Sequence, residues 1–160
     1  MIKLVSALAV IASLQTAYAD DKDKDKDKEP DFSGSYSYTS TFTVSLTTPQ
    51  AATMTDNETG HLTISESKKG GFVLTFSSKG ETCELSAARV GKRNLKPANG
   101  QSCTVSDRDS GSEFTITLTS GSGNLAGDSL TMNLGWKLSG SVGGVAVTGR
   151  ATEVVQAEQK

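Results

Sequence analysis

Apolar and polar residues alternate strictly through the stretch 130–139. Its apolar side chains occupy every second position, as Leu130, Met132, Leu134, Trp136 and Leu138. Period-two alternation predicts a β-strand with one buried and one solvent-facing side, because a helix would scatter the same residues around its circumference. One strand cannot bury its own apolar row. The rest of the chain must therefore supply the surface that covers it.

The same alternation recurs along the chain and predicts an all-β fold. Apolar residues take even positions from Phe32 to Leu46, and shorter alternating runs follow up to about residue 151, without helical periodicity. The pattern gives about eight short strands joined mostly by tight turns. It favours a single antiparallel up-and-down (meander) barrel, because sequence neighbours pair as hairpins and closure removes sheet edges. A two-sheet β-sandwich is the alternative, because the same alternation serves both.

Segments without this alternation divide the chain. A basic start, an apolar run and the small-x-small sequence Ala17-Tyr18-Ala19 predict a signal peptide at 1–19, cleaved after Ala19 and too short to span a bilayer. Alternating Asp and Lys at 20–30 predict a disordered charged tether. We expect the barrel at 31–155, with a loop at 47–60, and a polar tail at 156–160. Export implies a secreted or periplasmic protein.

Cys83 and Cys103 are the two cysteines of the chain, and both lie on predicted strands. An even number of cysteines in an exported protein predicts one structural disulfide. A redox or metal role is the alternative, but there is no CxxC motif and no histidine near either cysteine in sequence.

Few residues suggest catalysis or metal binding. His61 is the one histidine and lacks a neighbouring nucleophile motif, so we interpret it as a surface residue. The segment 107–113 resembles the start of a calcium loop but lacks the distant bidentate Glu. We therefore predict no catalytic residue, no metal, no cofactor and no enzymatic activity. A net charge of −2 without a basic stripe argues against nucleic acid as a partner.

Aromatic and sulfur-containing side chains on the predicted inner face either line a ligand cavity or fill the core. An eight-stranded barrel has room for packed side chains or for one small ligand. We therefore expect a monomeric binding module for a small apolar ligand. The alternative is a cell-envelope or extracellular interaction protein, including an inhibitor-like one, that acts through its outer surface. The candidate lining residues are Tyr36, Tyr38, Phe42, Phe72, Phe76, Phe114, Met132 and Trp136.

Short motifs resemble known secreted proteins. Gly34-Ser35-Tyr36 resembles the Gly-x-Trp opening of lipocalin-type and avidin-type barrels, with Tyr in place of Trp. That resemblance implies a small secreted β-barrel with an interior ligand site. The stretches 83–103 and 120–130 are similar to uncharacterised secreted bacterial proteins, a likeness that implies no activity. Small periplasmic lysozyme inhibitors are similar in being disulfide-bearing β-barrels.

Overall fold

The structure is a computed structural model that describes residues 30–107 and 112–160. The predicted signal peptide, nearly all of the charged tether and positions 108–111 of the calcium-loop candidate lie outside the described residues. Within these ranges the chain has nine strands and no helix, so none that could cross a membrane. The strands are β1 (Gly34–Thr48), β2 (Ala52–Glu66), β3 (Phe72–Ser78), β4 (Glu81–Val90), β5 (Asn94–Pro97), β6 (Ser102–Asp107), β7 (Ser112–Ala126), β8 (Ser129–Val142) and β9 (Val145–Gln159).

Eight of these strands close into an antiparallel meander barrel, which confirms the predicted fold class. The sheet order is β5-β4-β3-β2-β1-β9-β8-β7-β6, and β5 also pairs with β7 through Asn94 and Leu95. That second pairing closes the barrel. The remaining strand, β6, pairs with the first half of β7. β5 and β6 therefore lie end to end along one edge of β7, as two parts of an interrupted strand.

The predicted loop at 47–60 is wrong. β2 begins at Ala52 and pairs with β1 from Leu46↔Ala52 to Gly34↔Ile64. The first half of β2 reads as a loop in sequence because it carries Thr, Asp, Asn and Glu instead of an apolar row. It is a strand because the long neighbour β1 offers hydrogen-bond partners to its backbone along the whole ladder.

Several strands are longer than expected, and the segment predicted to be a polar tail belongs to the last strand. β1, β2, β7 and β9 each have 15 residues. β9 continues to Gln159, which pairs with Tyr36, and Ala157 is fully buried. The segment 156–159 therefore belongs to the barrel. The alternation could not be recognised in this segment, because its side chains are small or polar and Ala157 is its one inward apolar residue.

One half of the barrel interior is filled. Buried side chains from every strand around it, among them Leu62, Leu74, Leu130 and Met132, pack there with almost no exposure. Phe32 precedes β1 and is also fully buried, so the N-terminal segment closes this end. We call it the closed end.

Two hydrogen-bonding side chains hold Phe32 in place. The Tyr36 hydroxyl donates to the Phe32 carbonyl at 2.9 Å. The Arg89 guanidinium lies 4.8 Å from the centre of the Phe32 ring and donates to the Pro30 carbonyl at 3.1 Å. This cation–π contact and hydrogen bond fix the segment across the end of the barrel.

Side chains replace a backbone ladder where β4 faces β6. The Cys83–Cys103 disulfide joins the two strands, with the Cα atoms 5.4 Å apart, and confirms the predicted bridge. The Glu81 carboxylate accepts a hydrogen bond from the Ser106 amide at 2.8 Å. We call this the β4–β6 seam. Closing a loop of 20 residues stabilises a fold by about 3 kcal/mol in the chain-entropy model.

Candidate functional site

The half of the barrel opposite the closed end is hollow. It contains a cavity of ≈ 660 Å³, which opens near the β1–β2, β3–β4 and β8–β9 turns. This volume lies within the usual range for sites of small-molecule ligands. The cavity is lined by Tyr38, Phe42, Val44, Leu46, Met54, Asp56, Glu58, Phe76, Ser78, Lys79, Glu81, Thr82, Cys83, Thr104, Val105, Ser106, Phe114, Ile116, Leu134, Trp136, Leu138, Val142, Val147 and Glu153.

Two aromatic rings form part of the wall nearest the packed core. Tyr38 and Phe76 meet edge to face, with ring centres 5.7 Å apart and planes at 78°. Tyr38 lies across from Gly60 on β2, and a Cβ atom at Gly60 would come within 2.8 Å of the Tyr38 ring. Glycine is therefore required there for the ring to lie against the strand. The arrangement gives the cavity a rigid aromatic surface.

Glu153 is a carboxylate on the inward row of β9. That row otherwise holds Val147, Gly149, Ala151, Val155 and Ala157, all of them buried. The Trp136 indole Nε1 donates to Glu153 Oε2 at 3.1 Å. Burial raises the pKa of Glu153, the hydrogen bond from Trp136 and the nearby Ser40 hydroxyl lower it, and the charge of Glu58 raises it, with a net upward shift.

Two hydroxyl groups lie next to this carboxylate. Ser40 is 3% exposed. Its hydroxyl lies close enough to Glu153 to lower the pKa of that carboxyl. Its Oγ nevertheless completes no hydrogen bond of ordinary length among the described residues. The pKa of Tyr38 is raised to about 12 by burial and by the charges of Glu58 and Glu153, against a hydrogen bond with Ser78. Tyr38 therefore stays protonated at neutral pH and can act as a hydrogen-bond donor.

Acidic groups outnumber basic ones along the cavity wall. Asp56 and Glu58 on β2 and Glu81 on β4 line it together with Glu153, and Lys79 in the β3–β4 turn is the basic side chain among the lining residues. The rest of the wall is aromatic and aliphatic, with a few serine, threonine and cysteine side chains. It therefore combines apolar surface with negative charge.

The predicted ligand-lining residues divide between the two halves of the barrel. Tyr38, Phe42, Phe76, Phe114 and Trp136 line the cavity. The remaining three, Tyr36, Phe72 and Met132, are buried in the packed closed half.

Sequence reasoning missed the acidic side chains of the site, among them Glu58 and Glu153, and the buried Ser40 beside it. A usable signal existed for Glu153, because it continues the odd-numbered inward row that Val147 and Ala151 begin. Glu58 lay in the segment predicted to be a loop, so no register could be assigned to it.

The remaining candidates lie apart from the cavity. His61 is exposed on β2, and its Nδ1 lies 3.3 Å from Lys160 Nζ. Across residues 30–107 and 112–160, no three His, Cys, Asp or Glu side chains are grouped as a metal site would require.

The fold and site define a small antiparallel barrel with one packed half and one open half. No family model matches this chain, and no curated protein does either. A solved structure that resembles it is a protein of unknown function of the DUF3598 family from Nostoc punctiforme PCC 73102, with 12% identity and a TM-score of 0.37. The match covers 81% of this chain and 48% of the other, so the chain spans about half the length of that protein.

Proposed function

We propose that this protein is a non-enzymatic binding protein whose barrel holds a small, largely apolar ligand. The observation that carries the proposal is the cavity of ≈ 660 Å³ with Phe42, Phe114 and Trp136 in its wall. Concave sites with apolar walls and a few polar groups are typical of ligand-binding proteins. Lipocalin-type barrels, which the Gly34-Ser35-Tyr36 motif resembles, hold ligands in the same part of the fold.

Diphenylhexatriene, a neutral rod-shaped fluorophore that emits strongly in apolar surroundings, tests this proposal. We expect saturable one-to-one binding with a Kd of about 1 μM. Val44→Trp places an indole in the cavity and should weaken binding by about tenfold or more. Ser45→Trp adds the same group to the exposed outer face of the same strand and serves as the matched control.

Circular dichroism and thermal melting establish that both variants fold. Non-saturable binding to the native protein, or equal affinities for the two tryptophan variants, would overturn the proposal.

We further propose that the protein works outside the cytoplasm, in the periplasm or after secretion. The basic, apolar and small-x-small sequence of 1–19 supports export, and the Cys83–Cys103 disulfide is consistent with an oxidising compartment. Expression of the full chain in a bacterial host tests this. We expect a mature protein that begins at Asp20, and an uncleaved chain in the cytoplasm would contradict the proposal.

An interaction through the outer surface is the second candidate function, and the apolar rim of the cavity favours it. Met54, Val142 and Val145 are 42–54% exposed beside the mouth. A photo-crosslinking residue at position 145 should capture an envelope component in the producing cell, whereas one at exposed Glu66, at the other end of β2, should not. The absence of any adduct at position 145 would contradict this function.

A further inference from the structure

We infer that the ligand of this cavity carries a positive charge, as an amine or quaternary ammonium group attached to an apolar body. The inference rests on the proposed function and adds to it the chemical class of the ligand. Two features of the cavity support it, its aromatic surfaces and its excess of carboxylates, and a third lies beside the cavity, the unsatisfied hydroxyl of Ser40.

The aromatic wall suits a cation as well as an apolar ligand. Trp136, Tyr38 and Phe76 present rings to the cavity, and the face of an aromatic ring attracts ammonium groups. Tryptophan is the strongest of the three in this respect. Its indole N–H already donates to Glu153 at 3.1 Å, so the ring and the carboxylate are held as one unit.

The carboxylates give the cavity a negative charge that its own side chains do not balance. Asp56, Glu58 and Glu153 face it, together with Glu81, which also holds Ser106 across the β4–β6 seam. The single basic lining residue, Lys79, lies in the exposed turn at the mouth. The charged neighbour that perturbs Glu153 is another carboxylate, Glu58, and not a basic group. A buried carboxylate without a cationic partner is costly, and a bound cation would supply that partner.

Ser40 supplies the third feature, next to the cavity wall. It lies between Tyr38 and Phe42 on the inward row of β1, and it pairs with Glu58 on one side and Val155 on the other. Its hydroxyl is buried and completes no hydrogen bond in the described part of the chain. Buried hydroxyl groups are normally satisfied, so an unused one beside Glu153 indicates that a ligand or its bound water completes the site.

A charge series on one fluorophore tests the inference. Diphenylhexatriene is compared with its trimethylammonium and propionate derivatives at low ionic strength, so that the apolar body stays constant. We expect the cation to bind about tenfold more tightly than the neutral parent, and the anion about tenfold more weakly. Added salt should reduce the advantage of the cation only in part, because Glu58 and Glu153 are partly shielded from solvent.

Removal of the central carboxylate identifies the group responsible. Glu153→Gln keeps an oxygen acceptor for Trp136 and should weaken binding of the cation by about tenfold while it changes binding of the neutral probe by less than about twofold. Glu84→Gln removes the same charge from the exposed outer face of β4 and should leave all three affinities unchanged.

The outcomes separate this inference from the proposed function. If the neutral probe binds and the cation binds no better, the inference is wrong and the proposed function stands. If neither probe binds, the proposed function fails as well. Equal effects of Glu153→Gln and Glu84→Gln would also overturn the inference. They would indicate that the overall negative charge of the protein, and not a specific site in the cavity, favours the cation.

Discussion

Glu153 is the residue at which stability and the proposed ligand binding oppose each other. Its carboxyl lies on an otherwise apolar inward row and is hydrogen-bonded to Trp136. Burial is the largest cause of its raised pKa, so the folded protein favours the protonated form more than the unfolded chain does. Such a group costs folding free energy when it is ionised, and residues of this kind are usually retained for function.

Glu153→Gln should therefore stabilise the ligand-free protein near neutral pH. The folded-state pKa lies above the unfolded value of about 4.5, so the cost of Glu153 is absent below pH 4, grows as the pH rises through the folded-state pKa and is fully present above it. We expect the variant to gain on the order of 1 kcal/mol in free energy of unfolding at pH 7 and nothing at pH 4.

Urea denaturation at the two pH values, with Glu84→Gln as the control on the outer face, measures this difference. Equal stabilities of the native protein and Glu153→Gln at pH 7 would contradict it.

At the scale of elements, the interrupted strand formed by β5 and β6 depends on Gln101. Its main chain bonds β7, because the Leu118 amide donates to the Gln101 carbonyl at 2.8 Å. Its side chain bonds β4, because the Ser86 amide donates to Oε1 at 2.6 Å and Nε2 donates to the Ser86 carbonyl at 3.0 Å. One residue thus bridges two strands where the β5 ladder has ended and the β4–β6 seam begins.

Gln101→Ala should destabilise the barrel by about 2 kcal/mol, because it leaves backbone groups of Ser86 and Ala98 without this partner. Gln156→Ala, on the exposed outer face of β9, should cost less than about 0.5 kcal/mol. Both values come from urea denaturation with the disulfide intact.

Reduction of Cys83–Cys103 should enlarge the effect of Gln101→Ala, because the disulfide and the Gln101 side chain hold adjacent parts of the interrupted strand against β4. Similar losses for the two glutamine variants would contradict this role.

Strand existence could be predicted from sequence wherever one face is apolar, as in β8 and β9. It could not be predicted for the first half of β2, where the inward residues include Asp56 and Glu58. Those carboxylates face a cavity instead of a packed core, so the hydrophobic pattern is lost at the part of the strand that lines the candidate site. The departure from the pattern was itself a signal of the candidate site.

At the scale of the molecule, the sequence predicted a barrel but not how its interior is divided. Cavity volume depends on the tilt and stagger of the strands and on which side chains meet across the interior. At the closed end, the buried side chain of Phe32 helps to fill the interior, and Phe32 belongs to a segment outside the strands. Nothing in the alternation distinguishes Tyr36, in the packed half, from Tyr38, in the cavity wall.

A packed half and a hollow half should differ in local stability, and β8 tests this because it runs through both. Leu130 and Met132 are fully buried at the closed end, whereas Val142 is 42% exposed at the mouth. Amides that open only with global unfolding should therefore lie in 130–134, and those in 138–142 should exchange faster. Hydrogen exchange resolved by NMR or mass spectrometry measures both segments in one strand. Addition of a probe that fills the cavity should slow exchange in 130–134, because binding stabilises the native state against global unfolding, and should also slow exchange in 138–142 wherever local opening disrupts the cavity. Uniform protection along β8 in the ligand-free protein would show that the cavity does not weaken its surroundings.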